Sequence, residues 1–136
     1  MPYLAGIALA LTVSVIATLV GFDRDRAFYP TLLIVIASYY VLFAVIGGSG
    51  DAVEAETLVL AGFLLVAVIG FKKNLWLVVA ALIAHGLFDF LHAHVVANPG
   101  VPAWWPAFCL TYDVTAGAFL AWLLRHPHRT APPVTP

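Results

Sequence analysis

Three histidines and a carboxylate stand within ten residues of one another in His85-Gly-Leu-Phe-Asp-Phe-Leu-His-Ala-His94. On a helix advancing about 100° per residue, Asp89 sits about 40° from His85 and His92 about 20° from it on the other side, so all three share one stripe while His94 faces away. Imidazole and carboxylate one turn apart can coordinate the same cation. Asp89-Phe-Leu-His92 also has the i, i+3 spacing of a carboxylate–histidine ligand pair in di-metal helical bundles. His85 and His92 lie about 10.5 Å apart along the axis, too far for one ion, which suits two adjacent sites sharing Asp89. Imidazole with carboxylate favours zinc, iron or manganese. The remaining ligands must come from elsewhere in the chain, and Asp113 and Glu56 are the available carboxylates. The candidate metal set is therefore His85, Asp89, His92, Asp113 and Glu56, with Asp113, His85 and Tyr39 as candidate catalytic groups. The same stripe is also open to two metal-free readings: a proton or substrate site, and an Asp–His hydrogen bond joining helices.

These residues need elements to hold them, and the composition says which kind. Of 136 residues, 63% are hydrophobic and 10% charged, against about 25% charge in a soluble domain. Five apolar runs are long enough to span a bilayer, at 3–22, 29–48, 55–71, 75–97 and 103–124. We expect an all-α, five-helix transmembrane domain over 1–124 and a disordered, proline-rich tail over 125–136. The breaks are the charged turn Phe22-Asp-Arg-Asp-Arg26, Gly47-Gly-Ser-Gly50 with Asp51 as the expected cap, Lys72-Lys-Asn74, and Asn98-Pro-Gly-Val-Pro102. Lys72-Lys-Asn74 is short enough to make spans three and four antiparallel neighbours.

Arg24, Arg26, Lys72, Lys73, Arg125 and Arg129 all fall on one side of a five-span chain. The positive-inside rule then predicts the N-terminus outside and the C-terminus in the cytoplasm of the cell membrane. Trp76 and Trp122 at the cytoplasmic ends, with Trp104 and Trp105 at the outer end, agree with an interfacial belt. At about 1.5 Å per residue, His85 and Asp113 both come near the midplane and so make natural partners, while Asp89, His92 and Glu56 lie further out.

Several chemistries drop out on inventory. One cysteine, Cys109, allows no intrachain disulfide, and packing is its plainer role. No lysine lies mid-span, which argues against a retinal Schiff base. In-membrane histidines occupy one helix only, so a bis-histidine haem would need two chains. A net charge of −1 with no basic surface leaves no footprint for nucleic acid. Ser38 is expected to bond back to its own helix, and Tyr39 and Tyr40 to pack against or hydrogen-bond to the site.

Gly100-Val-Pro-Ala-Trp-Trp-Pro-Ala-Phe-Cys-Leu-Thr-Tyr-Asp-Val114, with His85-Gly-Leu-Phe-Asp89 and Asp25-Arg-Ala-Phe-Tyr-Pro30, resembles a family of small uncharacterised bacterial multi-pass membrane proteins. The resemblance runs from Asp23 to Leu124 and implies a bacterial inner-membrane protein, with no activity attached. The His, Asp and Ser inventory is also similar to that of membrane-embedded zinc hydrolases, from which the chain departs in its fewer spans and single histidine-bearing helix.

The leading functional expectation is a metal-dependent hydrolase or oxidoreductase acting on a small apolar or lipid-like ligand within the lipid bilayer, an ionisable intramembrane residue being a functional site by default. The alternatives are a proton- or cation-coupled small transporter, which would need to be a homo-oligomer to enclose a path, and a non-catalytic accessory subunit.

Overall fold

The computed structural model describes residues 1–126. It contains five helices and, among the described residues, no strand: α1 (Pro2–Val20), α2 (Phe28–Ile46), α3 (Gly50–Lys72), α4 (Trp76–Val95) and α5 (Trp105–Arg125). All five are long and apolar enough to cross a membrane. Leu4, Leu19, Leu58, Leu65, Leu87 and Phe90 are among the many large apolar side chains on the outside of the bundle, as a lipid-facing surface requires. The expected disordered tail begins inside α5 at Arg125, and its residues from 127 onward lie outside the described part.

Two boundaries differ instructively from expectation. α3 starts at Gly50, five residues before the predicted 55, because its cap is Ser49, whose Oγ accepts from the Ala52 amide at 3.3 Å. Asp51, expected to be the cap, lies in the first turn instead, where its carboxylate complements the helix dipole. α1 stops at Gly21, whose φ of 91° needs no Cβ and lets its amide close on the Ala17 carbonyl at 2.8 Å.

The helices meet in the order α1, α5, α4, α3, α2, with α2 also touching α4. α1 therefore packs mainly on the last helix of the chain, with Thr111 Oγ1 donating to the Tyr3 carbonyl at 2.9 Å. α4 is the organising element. Val78, Leu82, His85, Asp89 and His92 are all buried, at alternating steps of four and three residues that keep them on one face. α5 answers with Cys109, Asp113, Ala116 and Leu120 in the same rhythm. Close approach of these two helices depends on one glycine from each. A Cβ at Gly86 would sit 3.0 Å from the Leu110 carbonyl and 3.2 Å from Asp113 Cβ, and one at Gly117 would sit 3.2 Å from Ile83 Cγ1. Small residues of this kind let helix backbones pack tightly without water to drive them together, and here they bring the buried faces of α4 and α5 into contact at the level of His85.

The alternating directions gather Met1, the 47–49 turn and the 96–104 loop at one end, and Arg24, Arg26, Lys72, Lys73 and Arg125 at the other. We refer to these as the acidic and basic ends. Arg125 lies over the Trp76 ring at 5.5 Å at the basic end. Trp105 turns inward at the acidic end, edge-on to Tyr39 and Phe43 at 5.2 and 4.9 Å, so it packs against α2 while Trp104 stays exposed.

Candidate metal centre

His85, presented by the buried face of α4, is 1% exposed and reaches two carboxylates with a single nitrogen. Its Nδ1 is 2.7 Å from Asp113 Oδ2 on α5 and 3.2 Å from Asp89 Oδ2 one turn along its own helix. Ligand atoms of the three residues all lie within 4.8 Å of one another, close enough to hold one metal ion. One imidazole proton can satisfy only one of these acceptors. Accordingly, Asp113 Oδ1 and both oxygens of Asp89 are buried without a hydrogen-bond partner, although each aspartate is wholly buried. Carboxylate oxygens left bare in an apolar interior are costly, and a bound cation or bridging water is what normally relieves them. Phe63 stands edge-on to the His85 ring at 4.6 Å and steadies its orientation.

A second polar group sits nearer the acidic end. His92 Nε2 lies 2.6 Å from Glu56 Oε1 of α3, a hydrogen-bond distance that leaves no room for an ion between them. Asn98, from the α4–α5 loop, donates to the same Glu56 oxygen and to the Tyr40 carbonyl, each at 3.0 Å. The Tyr40 ring stacks on His92 with centroids 4.1 Å apart and planes 26° from parallel. Its buried hydroxyl interacts with Asp89, so Tyr40 links the two groups.

The five candidate ligands are thus all buried, but they divide. His85, Asp89 and Asp113 come together; His92 and Glu56 pair with each other one level further out. Asp89 joins the first group and His92 the second, rather than the two sharing an ion across the stripe. Tyr39 is 37% exposed and packs on Trp105 and Phe43, lining an apolar groove of about 290 Å³ with Leu9, Leu32, Ile36, Phe108 and Cys109. Cys109 in turn stands one turn from Asp113 on the buried face of α5 and interacts electrostatically with Asp89 and Asp113. Ser38 bonds back to the Val35 carbonyl at 2.6 Å, and His94 is exposed on the far face of α4.

Tyr40, expected like Tyr39 to pack against the site, is the one of the pair that reaches it, and Asn98 is a participant the sequence pattern does not mark. Leu33, Ala37, Tyr40 and Ala44 form the buried stripe of α2 at steps of four, three and four, a spacing that separates Tyr40 from its neighbour Tyr39. Asn98 had no comparable signal, since its partners come from α2 and α3.

The fold and site define a five-helix protein with the character of a multi-pass membrane protein and a buried His/Asp group at its centre. The chain matches no protein-family model, no curated protein and no solved structure.

Proposed function

We propose that this protein is a metal-dependent enzyme of the bacterial cell membrane, oriented with its N-terminus outside, that acts on a small apolar or lipid-like substrate. The observation that carries this reading is the set of three convergent ligands with unpartnered, buried oxygens. Charge balance supports it. Two carboxylates and one imidazole cannot all be neutralised by a single shared proton, whereas a divalent cation with both carboxylates and a neutral imidazole sums to zero. One nitrogen and two carboxylates suit zinc, iron or manganese, and three protein ligands leave a position for water or substrate. Zinc would activate that water for hydrolysis and iron would support oxidation. The apolar groove ending at Cys109 supports a hydrocarbon-like substrate, with Tyr39 against its body and the reacting group beside Asp89 and Asp113.

Metal content of the purified protein is the direct test. About one divalent ion per chain is expected, lost in the His85→Ala/Asp89→Ala variant. Less than about 0.2 ion per chain, unchanged in that variant, would defeat the proposal.

A second reading, a proton- or cation-coupled carrier, draws on the basic half of the bundle. There Tyr112 interacts with Asp113, and Tyr29 with Tyr112, Ser14 and Asp23, so polar groups continue beyond the centre. Cation flux into sealed vesicles, abolished by Asp113→Asn, would favour the carrier; metal binding without flux favours the enzyme.

A further inference from the structure

A depression of about 660 Å³ opens at the acidic end, between the last turn of α4 and the loop that follows it, lined by Ser49, His92, Val96, Asn98, Val101 and Pro106 among others. The buried His92 ring closes it toward the helices. Behind that ring, Glu56 Oε2 is buried without a hydrogen-bond partner, the Tyr40 hydroxyl interacts with Asp89, and beyond them Asp113 Oδ1 is again buried without a partner. A succession of bare oxygens running inward from a cavity suits water or a migrating cation.

Asn98 ties this region shut. Its Nδ2 holds Glu56 and the Tyr40 carbonyl, and its Oδ1 accepts from the Gly100 amide at 3.2 Å. Gly100 itself lies so close to the end of α2 that a Cβ there would overlap the Phe43 carbonyl. The loop is therefore seated directly on α2, and Asn98 is its polar fastening. Charge gives the direction. Among the described residues, the acidic end carries Asp51 and Glu54 and no lysine or arginine, whereas at the other end Arg24, Arg26, Lys72, Lys73 and Arg125 outnumber Asp23 and Asp25. No carboxylate lines the depression itself, so the bias comes from the field of these end charges and of Glu56 behind His92, which favours cations here, whereas the basic surface repels them.

We propose that this depression is the route by which water and cations reach the buried His85/Asp89/Asp113 group, with Glu56 drawing the cation past His92 and Asn98 holding the route closed. The proposal rests on the metal-centre reading for the identity of the ion, and its test is independent of metal content. Cys109, the only cysteine, is 2% exposed, stands one turn from Asp113 on the buried face of α5 and interacts electrostatically with Asp89 and Asp113, so its thiol reports arrival at the group. Silver ion, which replaces the thiol proton and releases it to water, is added to one face of sealed vesicles of known orientation.

Modification from the acidic end is expected to be about tenfold faster than from the basic end. Asn98→Ala should raise the acidic-end rate by about tenfold, as expected for loss of a hydrogen bond to a charged group, and leave the basic-end rate alone. Glu56→Gln should slow silver several-fold while leaving a neutral alkylating reagent, iodoacetamide, unaffected. Equal rates from both ends overturn the proposal. So does an Asn98→Ala variant accelerated equally from both ends, as a generally loosened bundle would be. Sided silver access in a protein that binds no metal would overturn the metal-centre reading alone, and stoichiometric metal with unsided access would overturn the route alone.

Discussion

His85→Leu is expected to destabilise the protein by about 3–5 kcal/mol in a single detergent, the usual cost of stranding a buried charge. The substitution removes the imidazole that reaches both Asp89 and Asp113, leaving two wholly buried carboxylates facing each other. Replacing His85 by leucine and each aspartate by the smaller valine should recover most of that loss, because a buried ionic group exchanged for apolar side chains of similar volume is often neutral or stabilising. The pairwise terms should differ. The His85–Asp113 contact at 2.7 Å is a hydrogen bond, while His85–Asp89 at 3.2 Å is the weaker partner of the same nitrogen. Double-mutant cycles on thermal unfolding should therefore give a larger coupling for His85/Asp113 than for His85/Asp89. Additivity of either pair within about 0.5 kcal/mol would mean that the two side chains do not share a site.

That interhelical bond shows what a membrane sequence makes legible. The stripe on α4 could be read because its polar residues mark a face against an apolar background, and Asp113 could be paired with His85 because both lie ten residues into their spans. The five helices were equally plain, since spanning length and charged turns are local properties. Phase is harder to read in helices without a polar marker. In a soluble helix the apolar stripe reveals the core, but here the outer surface and the core are both apolar and the helices are hydrophobic all round. For that reason Tyr39 and Tyr40 could not be told apart on composition, and only the run Leu33, Ala37, Tyr40, Ala44 shows which one is inside. The pairing of α1 with α5, and the bonds of Asn98 to α2 and α3, join residues distant in the chain. No local pattern encodes them. The start of α3 departs from the sequence pattern for a different reason: Gly50-Asp-Ala-Val-Glu54 reads as a polar loop, but Ser49 caps the helix and extends it through this stretch.

The division of the five candidate ligands into two groups leads to the other large effect, at His92. His92→Leu leaves Glu56, 1% exposed, with Asn98 as its only hydrogen-bond donor among the described residues and Oε2 still bare. The expected loss is again about 3–5 kcal/mol, because the buried carboxylate is left without its charged or proton-sharing partner. His92→Leu/Glu56→Leu should restore much of the stability, though not the link from Asn98 to α3 that Glu56 provides. Glu56→Gln, which keeps an acceptor for His92 and Asn98, should cost far less than Glu56→Leu alone. These variants also separate one metal centre from two. If the ion is held by His85, Asp89 and Asp113, then folded His92→Leu/Glu56→Leu protein equilibrated with excess metal retains about one ion per chain, and only the rate of loading changes. The 2.6 Å contact between His92 and Glu56 favours that outcome, since ligands of a common ion stand apart around it rather than at hydrogen-bond distance. Loss of the metal from that variant at equilibrium would instead mean that all five residues act as one centre, with His92 and Glu56 swinging inward to complete it.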